Sequence, residues 1–229
     1  MKEKKAAIIT GASHGLGAAI SAKFISQGIR VFGISRTPPE NPAVEHIQAD
    51  VTIFSQLDEA AARLKKESIG YLVNSAGVLA SGLAMMASPD VTQKVIQVNL
   101  LGTIFSCQVF SRLLVRSGGG AIVNLSSIAT QLGLRGESIY IASKAGVEGF
   151  TYAFAREMAD FNVTVNSVSP GPVATGLIGA LSADAVQKVV EQQIFSKGSS
   201  SEDVAETVWL LCSPGARKIS GEVIAVGGV

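Results

Sequence analysis

The sequence predicts an α/β protein, a doubly wound parallel sheet of about seven strands with helices on both faces, in a single domain covering residues 1–229. Three observations carry this. Short runs rich in β-branched residues alternate with longer stretches of helical periodicity, and the connections between them are short. The composition, 47% hydrophobic, 16% charged and with 24 glycines, suits a sheet buried on both faces and joined by tight turns. At 229 residues the chain can bury a large core without dividing, and no repeat, low-complexity tract or long linker interrupts it.

The elements follow in order. Ala6 to Thr10 reads as a buried strand and Gly15 to Gln27 as an amphipathic helix. Arg30 to Ser35 and Glu45 to Ala49 are the next strands, and between them Arg36 to Pro42 holds three prolines. Proline removes backbone donors and restrains the residue before it, so this crossover is expected to be a loop. A helix over Ser55 to Lys66, a strand over Tyr71 to Asn74 and one long helix over Ser88 to Arg116 come next. Gly118-Gly119-Gly120 is a turn, because three glycines cannot hold a helix against their conformational entropy. Ala121 to Ser126, Val163 to Ser169 and Glu222 to Val226 complete the strands; Ser138 to Asp160, Ser182 to Phe195 and Ser201 to Cys212 complete the helices. Parallel neighbours require crossovers, and alternation of this kind supplies them.

A formal net charge of +1 excludes a broad attraction to nucleic acid or to an anionic membrane. No uninterrupted apolar stretch reaches about 18 residues, the length of a membrane span. The charged start, Met1 to Lys5, runs straight into a strand without an apolar signal region, so a cytoplasmic protein is expected. Cys107 and Cys212 each sit in an apolar helical pattern and read as buried thiols rather than as a disulfide or a nucleophile. His14 and His46 are the two histidines, and no close His, Cys or carboxylate cluster suggests a metal.

Thr10-Gly11-Ala12-Ser13-His14-Gly15-Leu16-Gly17 joins the first strand to the first helix. A glycine turn opening a helix lets backbone N–H groups and the helix dipole receive a pyrophosphate, although the same glycines would serve a purely structural bend. Ser35-Arg36 ends the second strand, where arginine can pair with the 2′-phosphate of NADP and an acidic residue would grip the hydroxyls of NAD. A solvent-facing arginine is the plainer alternative. Asp50-Val51 can face adenine, or Asp50 can cap its own turn.

Tyr140 and Lys144, four apart on a helix, share a face. An ammonium beside a phenol lowers the tyrosine pKa from about 10 and makes it a better proton donor. Ser126-Ser127 ends the fifth strand and Asn74-Ser75-Ala76-Gly77 follows the fourth, on the edge where such sheets build their sites. Asn99 lies within the long helix as a poor helix former, offering an amide or distorting the backbone.

Together these residues resemble the short-chain dehydrogenase/reductase superfamily, a Rossmann-like fold, over essentially the whole chain. The family's TGxxxGxG motif is complete at Thr10 to Gly17, its YxxxK motif is Tyr140 to Lys144, and its NNAG stretch appears as Asn74 to Gly77. The resemblance implies a catalytic set of Asn99, Ser127, Tyr140 and Lys144, selecting Ser127 over Ser126 by its distance from the tyrosine. It implies an NADP(H) site at Gly11, Ser13, His14, Gly15, Leu16, Gly17, Ser35, Arg36, Asp50, Val51, Asn74, Ala76, Gly77, Tyr140 and Lys144. Pro170, Gly171, Val173 and Thr175 close over the nicotinamide, with Val173 and Thr175 orienting its carboxamide, and Asn99 supports a water-linked proton path to Lys144.

Within the superfamily the chain is most similar to 3-oxoacyl-acyl-carrier-protein reductases, which implies reduction of a 3-oxoacyl thioester. The basic residues that would dock an acyl carrier protein fall on Gly118 and Phe161, leaving Arg112, Arg116 and Arg135 as nearby cations. Gly176 to Ser200 is expected to wall the substrate side, with Leu177, Ile178, Leu181, Val186, Val189 and Phe195 apolar. Met85, Met86 and Leu132 can join that wall or pack in the core. The long helices imply a homotetramer, or else a dimer. An NAD-dependent secondary-alcohol dehydrogenase and a non-catalytic dinucleotide sensor are the competing readings, the second disfavoured by an intact Ser127, Tyr140 and Lys144.

Overall fold

A computed structural model describes residues 5–173, 183–195 and 197–229. Among these, the strands are β1 (Ala6–Thr10), β2 (Val31–Ser35), β3 (Val44–Gln48), β4 (Ile69–Asn74), β5 (Gly120–Leu125), β6 (Val163–Pro170) and β7 (Val223–Val226). They form one sheet in the order β3-β2-β1-β4-β5-β6-β7, and each pairing is parallel. β1 and β2 are buried at every residue, which explains why they read as continuous apolar runs. β3 lies at the edge, where Val44 is buried and Glu45 and Gln48 face solvent.

Two cores sandwich the sheet. On one face Ile8, Ile34, Leu72, Phe110, Ile122 and Phe154 pack under α2 (Phe54–Arg63), α4 (Gly102–Arg116) and α6 (Ser138–Met158). On the other, Ile9, Phe24, Val73, Val123 and Val208 pack under α1 (Gly15–Ser26) and α8 (Ser201–Cys212). Phe24 meets Tyr71 and Trp209 edge-on, with centroids 5.6 and 5.2 Å away. Each such buried side chain contributes about 1.5–3 kcal/mol. Cys107 and Cys212 are free and buried, and burial pushes the Cys107 thiol up to about 12.

The helix expected over Ser88 to Arg116 is divided. Ser88 caps α3 (Pro89–Ile96), accepting from the Val91 N–H, and a π turn over Gln97–Leu101 then leads into α4. By length and composition alone the run Pro89–Arg116 could cross a membrane, but more than half of its apolar window is buried inside this fold. α7 (Ala183–Val190) stops short of the expected end at Phe195. A single turn, α5 (Ala129–Leu132), was too short to leave a periodic signal. The stretch between β2 and β3 carries no helix, as its prolines predict.

The strand order reverses between β1 and β4, so the loops leaving their carboxyl ends diverge and open a crevice.

Candidate active site

The glycine turn is built by close contact. Gly11 (φ 68°) and Gly15 (φ 58°) take the left-handed conformation that favours glycine. A Cβ on Gly17 would stand 2.1 Å from the Gly11 carbonyl oxygen, so a side chain there would force the turn open. Thr10 Oγ1 accepts from the N–H groups of Ser75 (3.2 Å) and Ala76 (3.3 Å), fastening the turn after β1 to the loop after β4. Above them lies a cleft of about 670 Å³, large enough for a cofactor. Of the residues named from sequence, Gly11, Ser13, His14, Gly15, Leu16, Gly17, Ser35, Arg36, Asp50, Val51, Ala76, Gly77, Tyr140 and Lys144 line it. These residues fit a dinucleotide: those that open α1 border the cleft, where helix amides can receive an anion, and two glycines with positive φ admit its close approach.

Arg36 follows β2 and lines the cleft. Ser35 Oγ donates to the Thr37 carbonyl (2.7 Å) and Gln48 Nε2 to the Arg36 carbonyl (3.2 Å), so the ends of β2 and β3 both hold the loop. Among the described residues the Arg36 guanidinium has neither an ion-pair nor a hydrogen-bond partner. Asp50 lines the cleft, yet its Oδ1 accepts from the Thr52 N–H (2.9 Å) and hydroxyl (2.8 Å), so it also caps its own turn.

Asn74 departs from expectation. Its side chain points into the core, where Nδ2 donates to Asn124 Oδ1 (2.8 Å) and Cys107 Sγ (3.2 Å), and Ser75 lines the cleft instead. As the last residue of β4 it alternates inward beneath the sheet. The sequence reading also missed Thr37, Val78, Lys94 and Val98. Lys94 and Val98, four apart, share a helical face toward the cleft, a spacing that could have flagged them.

Tyr140, Lys144 and Ser127 come together at the ends of β5 and α6. Lys144 is buried and its Nζ donates to the Leu125 carbonyl (2.7 Å), 6.0 Å from the centroid of the Tyr140 ring. The expected lowering of the tyrosine pKa is reversed. Burial pushes the Tyr140 phenol up to about 12, a hydrogen bond with Ser127 opposes the rise, and the Glu137 charge adds to it. Lys144 directs its ammonium to a carbonyl rather than to the phenol, and burial lowers its own pKa to about 8 against the favourable charge of Glu148.

Asn99 sits on the π turn. Its Nδ2 donates to the Val78 carbonyl (2.9 Å) and Ser143 Oγ (3.0 Å), and its Oδ1 accepts from the Val78 N–H (2.8 Å). The amide side chain is therefore occupied in holding the loop after β4. A Cβ on Gly77 would meet Asn99 Oδ1 at 3.5 Å and Lys144 Nζ at 3.6 Å, so these groups converge on one backbone position.

A second, smaller cavity of about 90 Å³ adjoins the first through Leu16, Ser126 and Tyr140. Ser127, Pro170, Gly171, Val173, Val186 and Val189 line it, as does Glu137, which the sequence reading overlooked and whose carboxyl burial pushes upward. Leu132, Met85, Met86 and Phe195 do not line it, and the two methionines and Phe195 are exposed. Thr175, Gly176, Leu177, Ile178 and Leu181 lie outside the described residues. No group of three His, Cys, Asp or Glu side chains that could hold a metal occurs among the described residues.

A phosphate-binding turn, a crevice at the sheet's switch point and a buried tyrosine-lysine pair define a dinucleotide-binding fold of the oxidoreductase type. Residues 11–228 match the family model described as Enoyl-(Acyl carrier protein) reductase. The chain is 35% identical to a 3-oxoacyl-acyl-carrier-protein reductase of Staphylococcus aureus, covering 100% of this chain and 98% of the relative. It is 32% identical to carbonyl reductase family member 4 of Danio rerio, covering 97% and 96%. The ligand-free structure of an aldohexose dehydrogenase from Thermoplasma acidophilum superposes with a TM-score of 0.90 at 29% identity, covering 99% of this chain and 94% of that one. The chain belongs to the short-chain dehydrogenase/reductase family, whose members are nicotinamide-dinucleotide oxidoreductases.

Proposed function

We propose that this protein is an NADPH-dependent reductase that converts a carbonyl, specifically a 3-oxoacyl thioester, to a secondary alcohol. The carrying observation is that Tyr140 lines both cavities, the large one suited to a dinucleotide and the small one, largely apolar, suited to a substrate. The amides of the glycine turn would hold the pyrophosphate, Arg36 the 2′-phosphate, and Val173 the edge of the nicotinamide. A nicotinamide bound there supplies hydride to the carbonyl carbon.

The protein's share is orientation and the proton. Ser127 holds the carbonyl oxygen by a hydrogen bond, and Tyr140 donates its phenolic proton to the same oxygen as negative charge grows there. Even with its pKa raised by burial, a phenol is a stronger acid than an aliphatic alcohol, which favours transfer of its proton to the forming alkoxide. Lys144 holds the ribose and supplies positive charge beneath the tyrosine as the phenolate forms. The relatives in S. aureus and D. rerio, a 3-oxoacyl reductase and a carbonyl reductase by name, support reduction as the direction. With Gly118 and Phe161 at the docking positions and Arg116 bonded to the Leu64 and Glu67 carbonyls, the thioester is better read as free or presented near Arg112 and Arg135 than as carrier-docked through the usual cations.

One observation favours a second reading. Glu137 places a carboxyl in the substrate cavity, which suits a hydroxyl-bearing substrate, and the aldohexose dehydrogenase likeness points the same way: oxidation of a secondary alcohol with NAD.

Consumption of NADPH with 3-oxoacyl thioesters and plain ketones, and formation of NADH from NAD with polyols, each beside Tyr140→Phe, separate them. Thioester reduction should fall about 100-fold or more in the variant. Full turnover by Tyr140→Phe would remove the phenol from the mechanism, and NAD-linked polyol oxidation in place of reduction would favour the second reading.

A further inference from the structure

Glu148 lies one turn beyond Lys144 on α6 and has no place in the chemistry above. Two hydroxyls reach the same carboxylate oxygen: Ser126 Oγ donates to Oε1, and Thr130 Oγ1 stands 2.9 Å from it. They bracket Ser127, one residue before it and three after. The Thr130 hydroxyl also lies 2.8 Å from the Ser127 carbonyl and, with one proton, donates to one oxygen or the other. Backbone bonds from Ser126 N–H to Val168 (2.7 Å) and from Ile128 N–H to Pro170 (3.1 Å) tie the turn to β6, and Glu148 joins Tyr140 and Lys144 in tying it to α6. The same carboxylate favours the charged form of Lys144 against burial.

We propose that Glu148 is a positioning residue for the reaction: through Ser126 and Thr130 it holds the Ser127 turn against the helix that carries Tyr140, one turn beyond Lys144. The inference rests on the catalytic reading above. Around Lys144 and Tyr140, α6 contributes Glu148 and, at its amino-terminal cap, Glu137; β5 contributes the Leu125 carbonyl and the turn after it the Ser127 hydroxyl, while the π turn contributes the neutral amide of Asn99. Among the described residues, Glu148 is the anion acting directly on Lys144.

Both hydrogen bonds end on one oxygen, so Glu148→Gln can keep them through its amide carbonyl while deleting the charge, and Glu148→Ala deletes both. Three quantities decide the matter: NADPH affinity, the pH dependence of kcat, and amide hydrogen exchange across residues 126–132. For Glu148→Ala the expected result is a fall in kcat of about tenfold or more, faster exchange in that segment, and NADPH affinity within roughly threefold of the parent. Glu148→Gln should keep exchange and its best kcat within roughly threefold of the parent, while the alkaline limb moves to lower pH.

Unchanged kcat and exchange in Glu148→Ala would overturn the positioning role, and an unmoved limb in Glu148→Gln would overturn the role of its charge. Tyr140→Phe is measured in parallel. If it turns over normally the catalytic reading fails, whereas exchange across 126–132 still reports whether Glu148 holds the turn.

Discussion

At the residue scale, burial governs the chemistry of the site more than neighbouring charge does. A spacing of four placed Tyr140 and Lys144 on one face, and that part was legible in the sequence. What the spacing could not carry was depth: both groups are desolvated, which moves the phenol up to about 12 and the ammonium down to about 8. A lysine with a depressed pKa keeps its charge below that value and loses it as pH rises through it. Reduction should therefore decline above about pH 8 while the phenol is still protonated, and Lys144→Met should abolish that limb in a pH profile of kcat/KM. Arg36 makes a different kind of prediction. Its guanidinium has no protein partner among the described residues, so Arg36→Ala removes nothing from the fold. Losing a charge-assisted bond worth about 1.5–3 kcal/mol should weaken NADPH roughly 10- to 100-fold and NADH little, as read by fluorescence titration. Equal weakening of both would remove the phosphate-pairing role.

At the element scale, what the sequence disclosed depended on periodicity. β1, β2 and β5 were legible because strands covered on both faces are largely apolar, and the proline stretch after β2 excluded a helix on steric grounds. The π turn at Gln97–Leu101 was not legible, because one extra residue in a helical turn leaves the apolar pattern nearly intact. Asn99 was noticed as a residue out of place, but its partners Val78 and Ser143 are distant in sequence and emerge only with the fold. The inward turn of the Asn74 side chain was hidden for a related reason: strand alternation decides whether a terminal residue faces cleft or core, and one position reverses the answer. The energetic weight of the π turn can be measured. Asn99→Ala leaves the Val78 N–H and C=O without their partner, at about 1–3 kcal/mol for each group left unpaired. The melting temperature should then fall by roughly 4–24 °C, with a matching loss of NADPH affinity as the loop after β4 relaxes. A variant that melts with the parent would show that the turn holds its shape unaided.

On the scale of the whole molecule, the sheet, its two helical layers and most residues of the large cleft were foreseeable, whereas the way the two cavities adjoin was not. They arise where the loops after β1, β4, β5 and β6 converge, and no local pattern encodes a convergence. We propose a homotetramer, or a dimer, associating through α4 and α6, where Tyr152 and, just ahead of α4, Leu101 remain exposed. Light scattering behind size exclusion should give a multiple of the 23.6 kDa chain, and a strictly monomeric protein would reject this. The crossover between β2 and β3 carries a further consequence, one of time rather than of strength. Pro39 lies over Gly33 on β2, where an added Cβ would meet it at 3.5 Å, and the prolines beside it leave the loop few conformations to lose. A loop already ordered costs little entropy when the adenosine end of a dinucleotide settles against it, so the cofactor arrives on a finished surface. On the proposed pairing of Arg36 with a 2′-phosphate, discrimination between the two cofactors would then fall on how long each one stays, more than on the rate of capture.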